Sequence, residues 1–157
     1  MSHMRSFLTV AFAIIAIVVL GFLAARVYPV ALERFYGAAP SQATSVKTSC
    51  ERPPGFLLII ASISGFNESV NHESPSNPWP VIQVHQGDVV RLLVCNEDTR
   101  QPHGFAIENY LDAGVFLGPG EAYKITFSAT VPGNFLIYCN IFCTVHSLMV
   151  GRLSVSN

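Results

Sequence analysis

Charge is scarce in this sequence: 12% of its 157 residues are Asp, Glu, Lys or Arg, about half the share of an ordinary soluble domain. Nine bases against ten acids leave no cationic surplus, which excludes a nucleic-acid footprint. With the N-terminal part set aside the balance turns acidic, because residues 30–157 hold seven bases and all ten acids, net −3. No internal repeat is visible, and the C-x-x-C-H pattern that attaches haem is missing. No substrate-pocket signature occurs either, so the chain is not expected to be an enzyme by itself. Sulfur is sparse as well, with four Cys and three Met. Met149 is the only methionine after Met4, so its position carries information.

Apolar residues make up half of the chain, and they are unevenly spread. The run FLTVAFAIIAIVVLGFLAA, Phe7 to Ala25, contains no charged residue. At helical rise it covers about 28 Å, close to a hydrocarbon core of about 30 Å. A secretory signal peptide is the rival reading, but its apolar stretch should run only about 7–15 residues. Residues 1–29 are therefore read as a single N-terminal transmembrane anchor, in contact with membrane lipid through residues 7–25. Arg5 and Arg26 flank the run on both sides, so basic residues do not orient it. A whole domain follows the span, and two of its cysteines lie outside the cluster described below. That arrangement favours a cell-membrane protein with its domain on the oxidising, extracytoplasmic side. Residues 30–54 mix Pro, Gly, Ala and Ser with polar residues and read as a linker, with a short helical turn at Val30–Phe35.

Residues 55–157 change character. Short β-rich runs (FLLIIASISGF, PVIQVHQG, DVVRLLVCN, HGFAI, AYKITFSA, NFLIYC and GRLSV) are separated by turn chemistry such as GPGE and VPGN. In DVVRLLVCN, Val90, Leu92 and Val94 fall on one face and Arg91, Leu93 and Cys95 on the other. No helical period of useful length appears. About seven short strands in about 100 residues predict a β-sandwich. NESVNHESPSNP, Asn67 to Pro78, reads as an ordinary polar loop.

Near the C-terminus, YCNIFCTVHSLM gathers Cys139, Cys143, His146 and Met149 just after a strand. Thiolate and thioether are soft donors and imidazole is borderline, a set that suits copper. Structural zinc sites prefer paired C-x2-C units and rarely recruit Met. One further donor must come from elsewhere, and His103 in QPHGFAI is the best placed, with Gly104 leaving room for close backbone approach. The competing bland readings are an oxidised Cys139–Cys143 pair, a core Met149 and a His103 that merely bonds to a loop. His72 and His85 sit in polar turns without such company. Cys50 and Cys95 either form a disulfide tying the linker end to the sheet, or Cys95 packs as a small hydrophobe. Asn96 is a candidate to brace the site from behind.

The stretch from HGFAI through LGPGEAYKITFSATVPGNFLIYCNIFCTVHSLMVGRL resembles the cupredoxins. More narrowly, it resembles the CuA domain of haem–copper oxidase subunit II, of the short single-helix type, and of nitrous oxide reductase. The resemblance implies an all-β, cupredoxin-like Greek-key β-sandwich. It also implies a pair of copper ions bridged by Cys139 and Cys143, ligated by His103 and His146, with Met149 and the carbonyl of Ile141 as weak ligands. One spacing departs from that pattern: two residues, Thr144 and Val145, separate Cys143 from His146, where CuA domains have three. C-x2-H-x2-M instead matches some mononuclear blue-copper proteins. The expected function is copper electron transfer from a donor protein to a haem-containing oxidase subunit, as subunit II of a terminal oxidase. A freestanding carrier with mononuclear type 1 copper, and a copper delivery protein, are the alternatives.

Overall fold

The computed structural model describes residues 41–46 and 50–157. Among them run ten strands: β1 Gln42–Val46, β2 Leu57–Ser62, β3 Gly65–Phe66, β4 Val81–His85, β5 Val89–Asn96, β6 His103–Ile107, β7 Leu111–Leu117, β8 Ala122–Ser128, β9 Gly133–Tyr138 and β10 Val150–Ser156. They form two five-stranded sheets in the orders β1-β8-β5-β2-β3 and β4-β10-β9-β6-β7. The β2–β5 and β10–β4 pairs are parallel, and the other pairings are antiparallel.

Alternation along β5 decides what each face of the first sheet touches. Val90, Leu92 and Val94 point into the main core between the sheets, with Ile59, Ile125, Phe105 and Leu153. Leu93 and Cys95 point outward, as the two-residue period requires. That outer face is covered by Val46, Cys50, Phe56, Leu58 and Ile60, and Cys50 is bonded to Cys95. Each fully buried Leu or Ile in the main core contributes about 1.5–3 kcal/mol of transfer free energy. At the end of β6 away from His103, the buried Tyr110 hydroxyl donates to the Val131 carbonyl at 2.8 Å and accepts the Val131 N–H at 3.1 Å.

Two strands depart from the sequence reading. β1 lies within the stretch read as linker, because QATSV pairs as an exposed edge strand with β8 through its backbone and needs no apolar side chains. β7 interrupts its apolar residues with Asp112, Ala113 and Gly114, yet pairs with β6 across an irregular register. The apolar run 7–25 and the turn expected at Val30–Phe35 lie outside the described residues. Among the described residues, no helix is long and apolar enough to cross a membrane.

Candidate metal centre

The ends of β6 and β9 build the centre. These strands pair through Ala106–Tyr138 and Ile107–Ile137, which sets Cys139, the next residue, beside the start of β6. The Gly104 N–H donates to Cys139 Sγ at 3.2 Å. A Cβ on Gly104 would lie 2.9 Å from the Asn140 nitrogen and 3.0 Å from that of Ile141. Only glycine lets the two backbones approach this closely, as the sequence implied.

From Cys139 the chain loops through residues 140–149 and returns as β10. Cys139 and Cys143 are both buried and unbonded, with their sulfurs 3.5 Å apart. Cys139 Sγ lies 3.2 Å from the Ile141 carbonyl oxygen, and Cys143 Sγ lies 3.7 Å from Met149 Sδ. Met149 is fully buried, and its carbonyl accepts the Cys139 N–H at 3.3 Å, closing the base of the loop. The structure therefore brings together Cys139, Ile141, Cys143 and Met149.

His103 completes the buried group. Its ring is inaccessible to solvent, and Nε2 is bonded to Asp98 Oδ2 at 2.5 Å. The other nitrogen, Nδ1, is buried with no hydrogen-bond partner, and the ring lies beside the Cys139 thiol. A buried imidazole bonded to a carboxylate through one nitrogen, with the other bare beside sulfur, is the arrangement of a metal-ligating histidine and its orienting carboxylate. Asp98 was missed from sequence. Asn96 holds the turn that carries it: the Asn96 amide donates to the carbonyls of Gln101, Leu117 and Gly118 and accepts the Asp98 N–H at 2.9 Å. Asn96, the residue read as a candidate brace, thus fixes the turn that presents Asp98 to His103.

His146 is placed differently. It is exposed at the rim, its ring 5.9 Å from that of Phe142, which is itself 93% exposed. Among the described residues, no three His, Cys, Asp or Glu side chains already stand together at metal-ligating distances. His72 stacks on Trp79, and His85 stands exposed at the end of β4 beside Asp88, so neither takes part.

The electrostatics distinguish the two thiols. Burial opposes ionisation of Cys139, but the facing His103 imidazole, the Gly104 N–H and the adjoining loop outweigh it and hold the thiol below its ordinary value. Cys143 is pushed up to about 11 by burial and by its neighbour Cys139. Burial disfavours the charged form of His103, while Cys139 and Asp98 favour it and raise the imidazole above its ordinary value. Two thiols, a thioether and an imidazole nitrogen with nothing else to bind form a soft donor set that fits copper.

No family model matches the chain. Nitrous-oxide reductase of Stutzerimonas stutzeri is 37% identical over 75 residues, 46% of this chain and 12% of that protein. The enzyme of Pseudomonas fluorescens is 36% identical over the same length and shares. The chain thus spans about an eighth of these relatives. Among solved structures, reduced auracyanin from Roseiflexus castenholzii matches with a TM-score of 0.50 at 18% identity, over 66% of this chain and 98% of that one. That likeness, with the two-sheet topology, shows the fold: the all-β sandwich is a cupredoxin fold.

Proposed function

We propose that this chain is a membrane-anchored copper electron-transfer protein whose centre would take two copper ions, with Cys139 and Cys143 both among their donors. The observation that carries the reading is the convergence of both buried thiols, 3.5 Å apart, beside the bare Nδ1 of His103. A site built on one thiolate leaves the second buried thiol without a role. His103, Cys139, Cys143, His146, Met149 and the Ile141 carbonyl would hold the metal. Bound copper supplies reversible one-electron exchange between Cu(I) and Cu(II). The chain's own part is to hold the donors still. Cys139 is fixed by the Gly104 N–H, His103 by Asp98, and the loop base by the Cys139–Met149 backbone bond. The exposed edge at His146 would offer a short way out to a partner protein.

The sequence resemblance to CuA domains, together with nitrous-oxide reductase relatives, favours a role as subunit II of a terminal oxidase, where electrons enter. The partners would be an electron-donor protein and a haem-containing subunit. An anchor at residues 7–25 would keep the domain at the membrane and raise its effective concentration near an embedded acceptor. The Cys50–Cys95 disulfide supports the extracytoplasmic side. A freestanding mononuclear carrier is the second reading, favoured by the two-residue step from Cys143 to His146 and by the place of His146 at the rim. Metal analysis of the copper-loaded full chain in detergent separates them. Two coppers per chain support the paired centre; one favours the freestanding carrier.

A further inference from the structure

The stretch Asn67–Pro78 does more than an ordinary polar loop. Ser69 is fully buried; its hydroxyl donates to the Leu148 carbonyl at 2.8 Å and accepts the Phe66 N–H at 3.1 Å. A Cβ on Gly65 would collide with that hydroxyl, so β3 passes tightly against it. The Ser74 hydroxyl donates to the Val150 carbonyl at 3.2 Å, and the same carbonyl accepts the Trp79 N–H at 2.8 Å. The carbonyls immediately before and after Met149 are thus held from one side by this segment and the residue that follows it. The Met149 carbonyl between them is taken by Cys139 from the other side.

Three consecutive pinned carbonyls leave the Met149 backbone little freedom. That matters because a thioether would bind copper only weakly, and how closely the protein lets it approach would tune the potential of the site. Ser69 and Ser74 touch neither sulfur nor imidazole among the hydrogen bonds of the centre. They act through the chain that carries the thioether.

We propose that Ser69 and Ser74 are positioning residues that set the reach of Met149 toward the metal and so tune its reduction potential. This rests on the copper reading above. A donor lost from Cu(II) destabilises the more highly charged state, so weaker thioether contact raises the potential.

The test compares the copper-loaded full chain in detergent with Ser69→Ala, Ser74→Ala, Met149→Leu and Tyr110→Phe. The readouts are copper content, reduction potential, the paramagnetic resonance spectrum and thermal stability. Met149→Leu is expected to raise the potential most, and both serine variants to raise it by a smaller amount while keeping copper. Tyr110→Phe loses a buried hydroxyl at the opposite end of the sandwich and is expected to lose stability with the potential and spectrum of the wild type. Ser74→Thr, which keeps a hydroxyl, is expected to restore the wild-type potential. In the metal-free protein, amide exchange at Cys139 should quicken in Ser74→Ala and not in Tyr110→Phe. If Ser69→Ala does not fold, Ser74→Ala and its threonine rescue decide the matter. Serine variants with wild-type potential and spectrum, beside a shifted Met149→Leu, overturn the proposal alone. A wild-type chain that retains no copper overturns the copper reading and the proposal with it.

Discussion

Cys50 and Cys95 are joined, with Cα atoms 5.8 Å apart. Cys139 and Cys143 remain thiols although their sulfurs lie 3.5 Å apart. The first pair lies on the outer face of the first sheet, packed among Leu93, Ala122, Phe56 and Ile60. Its use is mechanical. A bridge across 45 residues removes about 4 kcal/mol of chain freedom from the unfolded state in the loop-entropy account. It fastens the segment before β2 to β5, one residue from Asn96, which organises the turn bearing Asp98. The second pair sits where a backbone N–H, an imidazole, a carbonyl and a thioether converge. Burial opposes ionisation there, but the imidazole and the backbone outweigh it and hold the Cys139 thiol below its ordinary value, and the convergence makes the pair a donor set. The same side chain serves as staple or ligand according to what surrounds it.

Removing a donor thiol should have the largest effect. Cys139→Ser is expected to weaken copper binding by more than the roughly 10–100-fold typical of losing a supporting hydrogen bond, as read by competition with a Cu(I) chelator. Wild-type affinity in that variant would remove Cys139 from the site. The opposite pattern is expected of the staple. The double change Cys50→Ala with Cys95→Ala should cost about 2–5 kcal/mol in denaturant unfolding and leave the copper spectrum unaltered. A changed spectrum would mean that the two pairs are not independent.

Asp98→Asn comes next. It keeps the size of the side chain but removes the charge that orients His103, and copper affinity should fall about 10–100-fold. Unchanged affinity would make the Asp98–His103 bond purely structural. The smallest effect is on pH. Cys143 keeps its proton at neutral pH, since its value is pushed up to about 11, and the raised value of His103 keeps more of its imidazole protonated. Metal must displace those protons, so loading should release acid and affinity should rise as pH increases. Potentiometric loading at constant pH measures the release; uptake without protons would contradict it.

Much of the fold was legible because side-chain alternation reports a half-buried strand directly. The faces of β5 came out as read, with Val90, Leu92 and Val94 inward and Leu93 and Cys95 outward. β1 was not legible, since an edge strand of polar residues bonds through a backbone that its side chains do not advertise. The centre was legible where chemistry-bearing residues cluster in sequence. Cys139, Cys143 and Met149 lie together, and His103 joins them from β6 through the close approach at Gly104. Asp98 was not legible, because a carboxylate five residues before a histidine is common and only the folded turn aims it at Nε2. Ser69 and Ser74 were hidden for the same reason, since their partners lie 79 and 76 residues away in the chain.

The central claim is that both unbonded thiols serve one electron-transfer centre. Paramagnetic resonance of the copper-loaded, partly oxidised full chain tests it most directly. A hyperfine pattern from one unpaired electron shared equally by two copper nuclei is the predicted result. The pattern of a single copper nucleus, unchanged in Cys143→Ser, would contradict it.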